Sequence, residues 1–261
     1  MMTNAPVLVY IFAFLFGITF GSFLNVCIYR LPENQSIVKV PSHCMTCGKK
    51  LRWYELIPLF SWIFLRGKCH GCKAKISAQY PLIEGATGLL FVLCLFVKGL
   101  TLDMFLCQAL MCALLVLSVI DARTHEIPNG ISIFIAVIGL IRAVITIIPL
   151  IKSHSNVLDV VLGPVVVAGV LLLILILSGG GAIGGGDVKL MAAAGLFLGF
   201  KGSVLALVIG CIAGAVIHVA LMKIKHLGRE LAMGPYLSLG TAVTALWGDK
   251  ILSWYLGMMG F

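Results

Sequence analysis

Long apolar runs separated by short polar links dominate this chain. The runs cover about 7–29, 80–98, 102–120, 128–148, 157–178, 187–200, 203–222 and 234–248. Most approach the roughly 20 residues that a helix needs to cross about 30 Å of hydrocarbon. The pattern predicts an all-α integral membrane protein with about eight transmembrane helices. The run at 187–200 is the shortest and is interrupted by Gly195 and Gly199, so a tilted, broken or protein-shielded helix is expected there. One stretch departs from the pattern. Residues 30–79 are polar, basic and turn-rich, with Pro32, Pro41, Gly48, Pro58, Gly67 and Gly71. The expected organisation is a first helix at 1–29, a small insert at 30–79 and a transmembrane core at 80–261.

Composition strengthens the membrane reading, since 61% of the 261 residues are hydrophobic and only 11% are charged. Lys and Arg are retained on the cytoplasmic side of a membrane. Nine of the 19 fall between Arg30 and Lys75, which makes the insert cytoplasmic. With eight spans, the links holding Arg123 and holding Lys223, Lys225 and Arg229 share that side, opposite Lys98, Lys152 and Lys201. Both termini then lie outside. The first run has no basic residue before Arg30 and no small-residue cleavage site, so it is expected to stay rather than act as a removable signal. The net charge of +9 sits in loops beside the membrane, without a soluble basic domain interleaved with aromatics. It marks topology and lipid contact, and nucleic acid is not an expected partner.

Nine cysteines divide into two sets. Cys27, Cys94, Cys107, Cys112 and Cys211 lie in apolar runs, where a thiol acts as a small core hydrophobe. Cys44-Met-Thr-Cys47 and Cys69-His-Gly-Cys72 stand 21 residues apart in the insert. Two C-x2-C knuckles at such spacing complete a closed tetrahedral zinc site, of structural type. A segment of this size hardly buries a core of its own, so the metal supplies its stability. Disulfides are disfavoured in the reducing cytoplasm. His43 and His70 adjoin ligand cysteines but are not needed as ligands.

Only ten acidic residues are present, and two carry a candidate chemistry. Asp121 ends the third run, just before a link to Ile127-Pro128-Asn129, and Asp187 opens the sixth after a glycine run. Two spans separate them, so both carboxylates share a membrane face whichever way the chain inserts. Ionisable groups at a span margin are costly unless paired or wetted, which makes function the default reading. Asp187 alone could be a helix cap, but Asp121 at a helix C-terminus opposes the dipole. Two such carboxyls, if they meet, share one proton, as in an aspartic protease. One then activates water while the other donates to the scissile carbonyl, with a bell-shaped pH profile belonging to the pair. Gly184, Gly185 and Gly186 clear an approach for an extended peptide and permit φ > 0. No G-K-[ST] follows, which argues against phosphate binding. Lys189, just beyond, either tunes Asp187 or anchors the helix at the membrane edge.

The motifs resemble those of the bacterial type IV prepilin peptidases, multi-span aspartyl proteases with a G-x-G-D signature. Gly184-Gly185-Gly186-Asp187-Val188-Lys189 is similar to the second catalytic motif, and Ile120-Asp121-Ala122-Arg123 with Ile127-Pro128-Asn129 to the first. Gly21-Ser22-Phe23-Leu24-Asn25, Glu55-Leu56-Ile57-Pro58, Tyr80-Pro81-Leu82-Ile83-Glu84 and Gly234-Pro235-Tyr236-Leu237 extend the likeness along nearly the whole chain. The resemblance implies catalytic Asp121 and Asp187, prepilin or pseudopilin substrates cut after a glycine on the cytoplasmic side, and methylation of the new N-terminus with S-adenosylmethionine. It also points to Gly67, beside Cys69, for that cofactor, and makes the insert the methyltransferase region. The stretch from Pro32 to Cys44 is shorter than in many relatives. A presenilin-type protease would leave the paired C-x2-C insert unexplained. A membrane transporter using acids along an ion path, or a zinc-stabilised scaffold, would use the same residues without catalysis.

Four further features carry expectations. Gly17 with Gly21 and Gly210 with Gly214 have helix-packing spacing. Arg142 and His218 lie within spans near a membrane edge, where snorkelling or a wet pocket suits them. Glu55 and Glu84 either order the insert or face the substrate.

Overall fold

A computed structural model describes residues 6–38, 41–152, 158–181, 183–225 and 232–260. Lys39 and Arg229, and the side chains of Lys152, His218, Lys223 and Lys225, lie outside what is described. The long helices are α1 (Val7–Arg30), α3 (Gln79–Lys98), α4 (Leu102–Thr124), α5 (Asn129–Lys152), α6 (Leu158–Leu177), α7 (Gly185–Lys225) and α8 (Gly234–Met258). Between α1 and α3 lie a single 3₁₀ turn, η1 (Trp53–Leu56), and the short α2 (Phe60–Phe64). Among the described residues the only β pairing is two isolated bridges, His43 with Lys50 and Lys68 with Lys75.

Six helices are long and apolar enough to cross a membrane: α1, α3, α4, α5 over Asn129–Ile147, α6, and α7 over Gly185–Ile217. The runs expected at 187–200 and 203–222 both fall within α7, which is broken at Gly199 (φ 74°, ψ −179°). The expected eighth run corresponds to α8, which is not among those six.

The chain forms two compact units, Met1–Cys112 and Ala113–Phe261. In the first, α1 and α3 approach at their backbones. A Cβ on Gly17 would lie 2.7 Å from Gly88 Cα, and one on Gly21 would lie 2.6 Å from Glu84 Cα. The Gly17/Gly21 spacing therefore joins neighbouring helices. Asn25, fully buried, fixes their register: its Nδ2 donates to the carbonyls of Tyr80 (3.2 Å) and Gly21 (3.3 Å), and its Oδ1 accepts from Gln79 Nε2 (3.4 Å). Full satisfaction is what makes a buried amide tolerable. Cys27, Cys94, Cys107 and Cys112 are buried, as expected of core thiols, whereas Cys211 on α7 is exposed at the protein surface.

In the second unit α7 packs against α5, α6 and α8. Gly163 of α6 lies against the Gly195 carbonyl and Gly199, and Gly210 of α7 against Leu237 of α8, where a Cβ would stand 3.2 Å from Leu237 Cα. The break at Gly199 strips backbone groups of their helical partners, and two charged side chains take them up. Arg142 of α5 donates to the Phe197 carbonyl, with its guanidinium 4.7 Å from the Phe197 ring centroid. Asp159 of α6 accepts the Lys201 N–H at 3.2 Å. The cation meets the end of one helical stretch and the anion the start of the next, the signs the helix dipoles favour. Arg142 is therefore tied to protein rather than snorkelling.

Candidate active site and metal centre

Asp121 is in the last turn of α4 and Asp187 in the first turn of α7. Both are buried, at 5% and 8% exposure, and both belong to the second unit. The helices between them, α5 and α6, are each long and apolar enough to cross a membrane, as the parity expected from sequence requires. Asp187 lies within electrostatic reach of Asp121.

Each carboxylate is held by a backbone N–H. Asp121 Oδ2 accepts from Gly234, the first residue of α8, at 2.9 Å. Asp187 Oδ2 accepts from Gly184 at 3.3 Å, while the Asp187 N–H donates to the Gly184 carbonyl at 3.1 Å. That reciprocal bonding at a helix start resembles half of a capping box.

The glycine run acts differently from the expectation of positive φ. Left-handed backbone occurs at Gly179 (φ 59°) and Gly180 (φ 85°), and not at Gly184, Gly185 or Gly186. Gly186 instead lets the chain pass the Ile127-Pro128 link, since a Cβ there would lie 2.9 Å from Ile127 Cβ. A Cβ at Gly185 would meet nothing within 4 Å, which leaves open space beside Asp187. Lys189 reaches Asn129 Oδ1 at 2.9 Å, bridging the starts of α7 and α5. Gly234 was not a candidate from sequence. Gly-Pro before an apolar run marks a helix start, but nothing local ties it to an aspartate 113 residues away.

The four insert cysteines converge. Their Sγ atoms all lie within 4.8 Å of one another, and Cys44 and Cys72 are 3.8 Å apart. A tetrahedron with Zn–S bonds of about 2.3 Å has edges of about 3.8 Å, so the donor set fits zinc. The two knuckles repeat one design. The Gly48 N–H bonds the Cys44 carbonyl (2.8 Å) and the Lys73 N–H the Cys69 carbonyl (3.0 Å); Cys44 N–H bonds Lys49 (2.9 Å) and Cys69 N–H bonds Ala74 (2.9 Å). Gly48 (φ 69°) and Lys73 (φ 60°) take the same left-handed conformation at the same place. The N–H groups of Cys47 and Thr46 bring the Cys44 thiol down to about 6. Cys72 is pulled down by the Ala74 N–H, but burial and the neighbouring thiols outweigh it and push Cys72 up to about 11. Thiols that resist joint ionisation are a set that wants a cation. Among the described residues neither His43 nor His70 joins this cluster.

Both glutamates order the insert. Glu55 accepts the Arg52 N–H (2.7 Å) and pairs with Lys49 (3.2 Å), and the Arg52 N–H, with Lys49 assisting, holds its carboxyl below the usual range. Glu84 accepts the Leu59 N–H at 2.7 Å. Gly67 (φ 65°) is buried beneath Trp62, where a Cβ would lie 2.9 Å from the indole, and Trp62 Nε1 donates to the Ile76 carbonyl at 3.3 Å. That packing explains the glycine.

Two family descriptions match the chain in succession: the bacterial peptidase A24 N-terminal domain over residues 15–98 and the type IV leader peptidase family over residues 108–219. Curated relatives named "Prepilin leader peptidase/N-methyltransferase" align over nearly full length. The protein from Pseudomonas putida is 30% identical over 94% of this chain and 93% of its own. That from Aeromonas hydrophila is 31% identical over 96% and 95%. That from Xanthomonas campestris pv. campestris is 33% identical over 94% and 93%. No solved structure gives a significant match.

Proposed function

This chain belongs to the type IV leader peptidase family, and from that membership we propose a membrane aspartyl endopeptidase that removes the leader of type IV prepilins or pseudopilins and then methylates the new N-terminus. What supports the peptidase reading is that Asp121 and Asp187 are both buried in one unit, with Gly186 packed against Ile127 of the link that follows Asp121; span parity assigns them to one face.

One carboxylate takes a proton from water as the oxygen attacks the scissile carbonyl. The other carboxyl donates its proton to the carbonyl oxygen, and the proton taken from water passes to the leaving amine. The N–H groups of Gly234 and Gly184 orient the two side chains, and the open space at Gly185 admits an extended peptide. Zinc on Cys44, Cys47, Cys69 and Cys72 is structural in this scheme.

The insert and the dyad are assigned to the cytoplasmic side on the distribution of Lys and Arg. Methyl transfer rests on the relatives' names, with S-adenosylmethionine supplying the methyl group. By the resemblance the insert is the methyltransferase region, with Gly67 adjoining the cofactor.

The test is cleavage of a pilin-like substrate by purified protein. Asp121→Asn and Asp187→Asn should each abolish cutting while helix content and zinc content stay unchanged. A wild-type protein that is folded and zinc-loaded yet leaves the substrate uncut would overturn the proposal. The mass of the product's N-terminus, with and without S-adenosylmethionine, reports the methyl in the same experiment.

A further inference from the structure

The insert carries a surface that the peptidase chemistry leaves unused. In α2, Phe60 (49% exposed), Ile63 (61%) and Phe64 (81%) stand at i, i+3 and i+4 on one side of the helix, and the unit covers none of them. Trp53 of η1 is 78% exposed, and η1 packs against α2. Large apolar groups clustered in this way mark an interaction site rather than ordinary surface.

The position of the stripe relative to the spans is fixed by one bond. The Leu59 N–H, immediately before α2, donates to Glu84 Oε2 at 2.7 Å, and Glu84 is five residues inside α3, which begins at Gln79. At about 1.5 Å per residue, Leu59 is pinned about 7.5 Å along a helix that crosses the membrane. Leu59 itself forms a tight γ-turn (φ 61°, ψ −54°) in which the Phe60 N–H donates to the Pro58 carbonyl at 2.7 Å. A turn of that hand is strained for leucine, and the Glu84 carboxylate holds it. The stripe thus begins beside the first turns of a helix long and apolar enough to span a membrane, the region where the apolar side of an interfacial helix rests.

Charge selects the partner. Residues 30–79 contain nine Lys and Arg against two acidic residues, Glu33 and Glu55. Glu55 is buried and neutralised by Lys49, while Arg52, Arg66 and Lys68, which flank η1 and α2, are exposed. Apolar groups beside the start of a spanning helix, with exposed cations around them, suit a bilayer leaflet rich in anionic phospholipid.

We propose that the zinc insert is a leaflet-bound element: Trp53, Phe60, Ile63 and Phe64 enter the headgroup boundary, and the flanking Arg and Lys side chains hold anionic lipid. The proposal stands apart from the peptidase reading, so either can fail alone.

The experiment uses full-length, zinc-loaded protein with Trp247 and Trp254 changed to Phe, placed in nanodiscs of phosphatidylcholine with or without phosphatidylglycerol. Tryptophan emission is read against lipids brominated high on the acyl chain. The Trp53 contribution, taken as the difference from a Trp53→Phe variant, should be blue-shifted and quenched, more strongly when phosphatidylglycerol is present. The double variant Phe60→Ser/Phe64→Ser should lose most of the quenching while keeping its zinc. Arg66→Gln/Lys68→Gln should lose the preference for phosphatidylglycerol. Emission of a water-exposed indole in both bilayers, quenching indifferent to lipid charge, or shielding that depends on the number of protein copies per disc would overturn the proposal.

Discussion

The Asp121 carboxylate and the Gly234 N–H, 113 residues apart, are joined by a 2.9 Å hydrogen bond. The bond sets the last turn of α4 against the first residue of α8. It leaves no room for a side chain, because a Cβ on Gly234 would lie 2.6 Å from Asp121 Oδ2. Gly234→Ala is expected to displace the carboxylate and lower cleavage by about 100-fold, the scale of a misplacement of about 1 Å. Circular dichroism and zinc content should match the wild type. Unchanged kcat would mean that Asp121 does not need this position.

Zinc should be removable without touching the dyad. Cys44→Ser or Cys72→Ser is expected to abolish zinc in elemental analysis and to open the 30–79 insert to limited proteolysis. Each ligand must lose its proton to bind. Proton release on metal addition and weaker zinc retention at lower pH are therefore expected, and titration in a weakly buffered solution measures both.

Arg142 and Asp159 should matter to folding more than to chemistry. Arg142→Met removes the side-chain donor to the Phe197 carbonyl, and Asp159→Ala removes the side-chain acceptor of the Lys201 N–H. A hydrogen bond to a charged group contributes about 1.5–3 kcal/mol, so a lower Tm is expected for each. Arg142→Lys should restore only part, since an ammonium cannot stack over Phe197 as a guanidinium does.

Glu55 gives the insert a dependence on acid. Its folded-state pKa is lowered, so its contribution is fully present above the unfolded carboxylate value of about 4.3 and is lost as pH falls through the folded value. Protease resistance of the wild-type insert should decline across that interval, and Glu55→Gln should start lower and show a flatter decline.

Much of this arrangement is written in local pattern. The apolar runs, the paired C-x2-C and the two aspartates at span margins are signals carried by neighbouring residues, and parity then follows from counting. The break in α7 was legible, because Gly199-Phe200-Lys201-Gly202 has the composition of a link between the runs at 187–200 and 203–222, and two helical stretches do meet at Gly199. The caps that α5 and α6 supply to that break, from Arg142 and Asp159, were not readable locally. Gly234 escaped for a related reason: its partner Asp121 is distant in sequence, and no periodicity encodes such a pairing. Glu84 and Glu55 were visible as residues, but which backbone N–H each would accept was not.

The first stretch of α7, residues 185–198, ends at the Gly199 break. At about 1.5 Å per residue its 14 residues rise only about 21 Å, well short of an average bilayer core of about 30 Å. Leu190, Met191, Ala194 and Phe197 along it are enclosed by protein, so neighbouring helices rather than lipid meet the shortfall. The segment that bears Asp187 is thereby sheltered from the thickness of whatever bilayer surrounds it, and the same polypeptide should hold that carboxylate alike in short-chain and long-chain membranes.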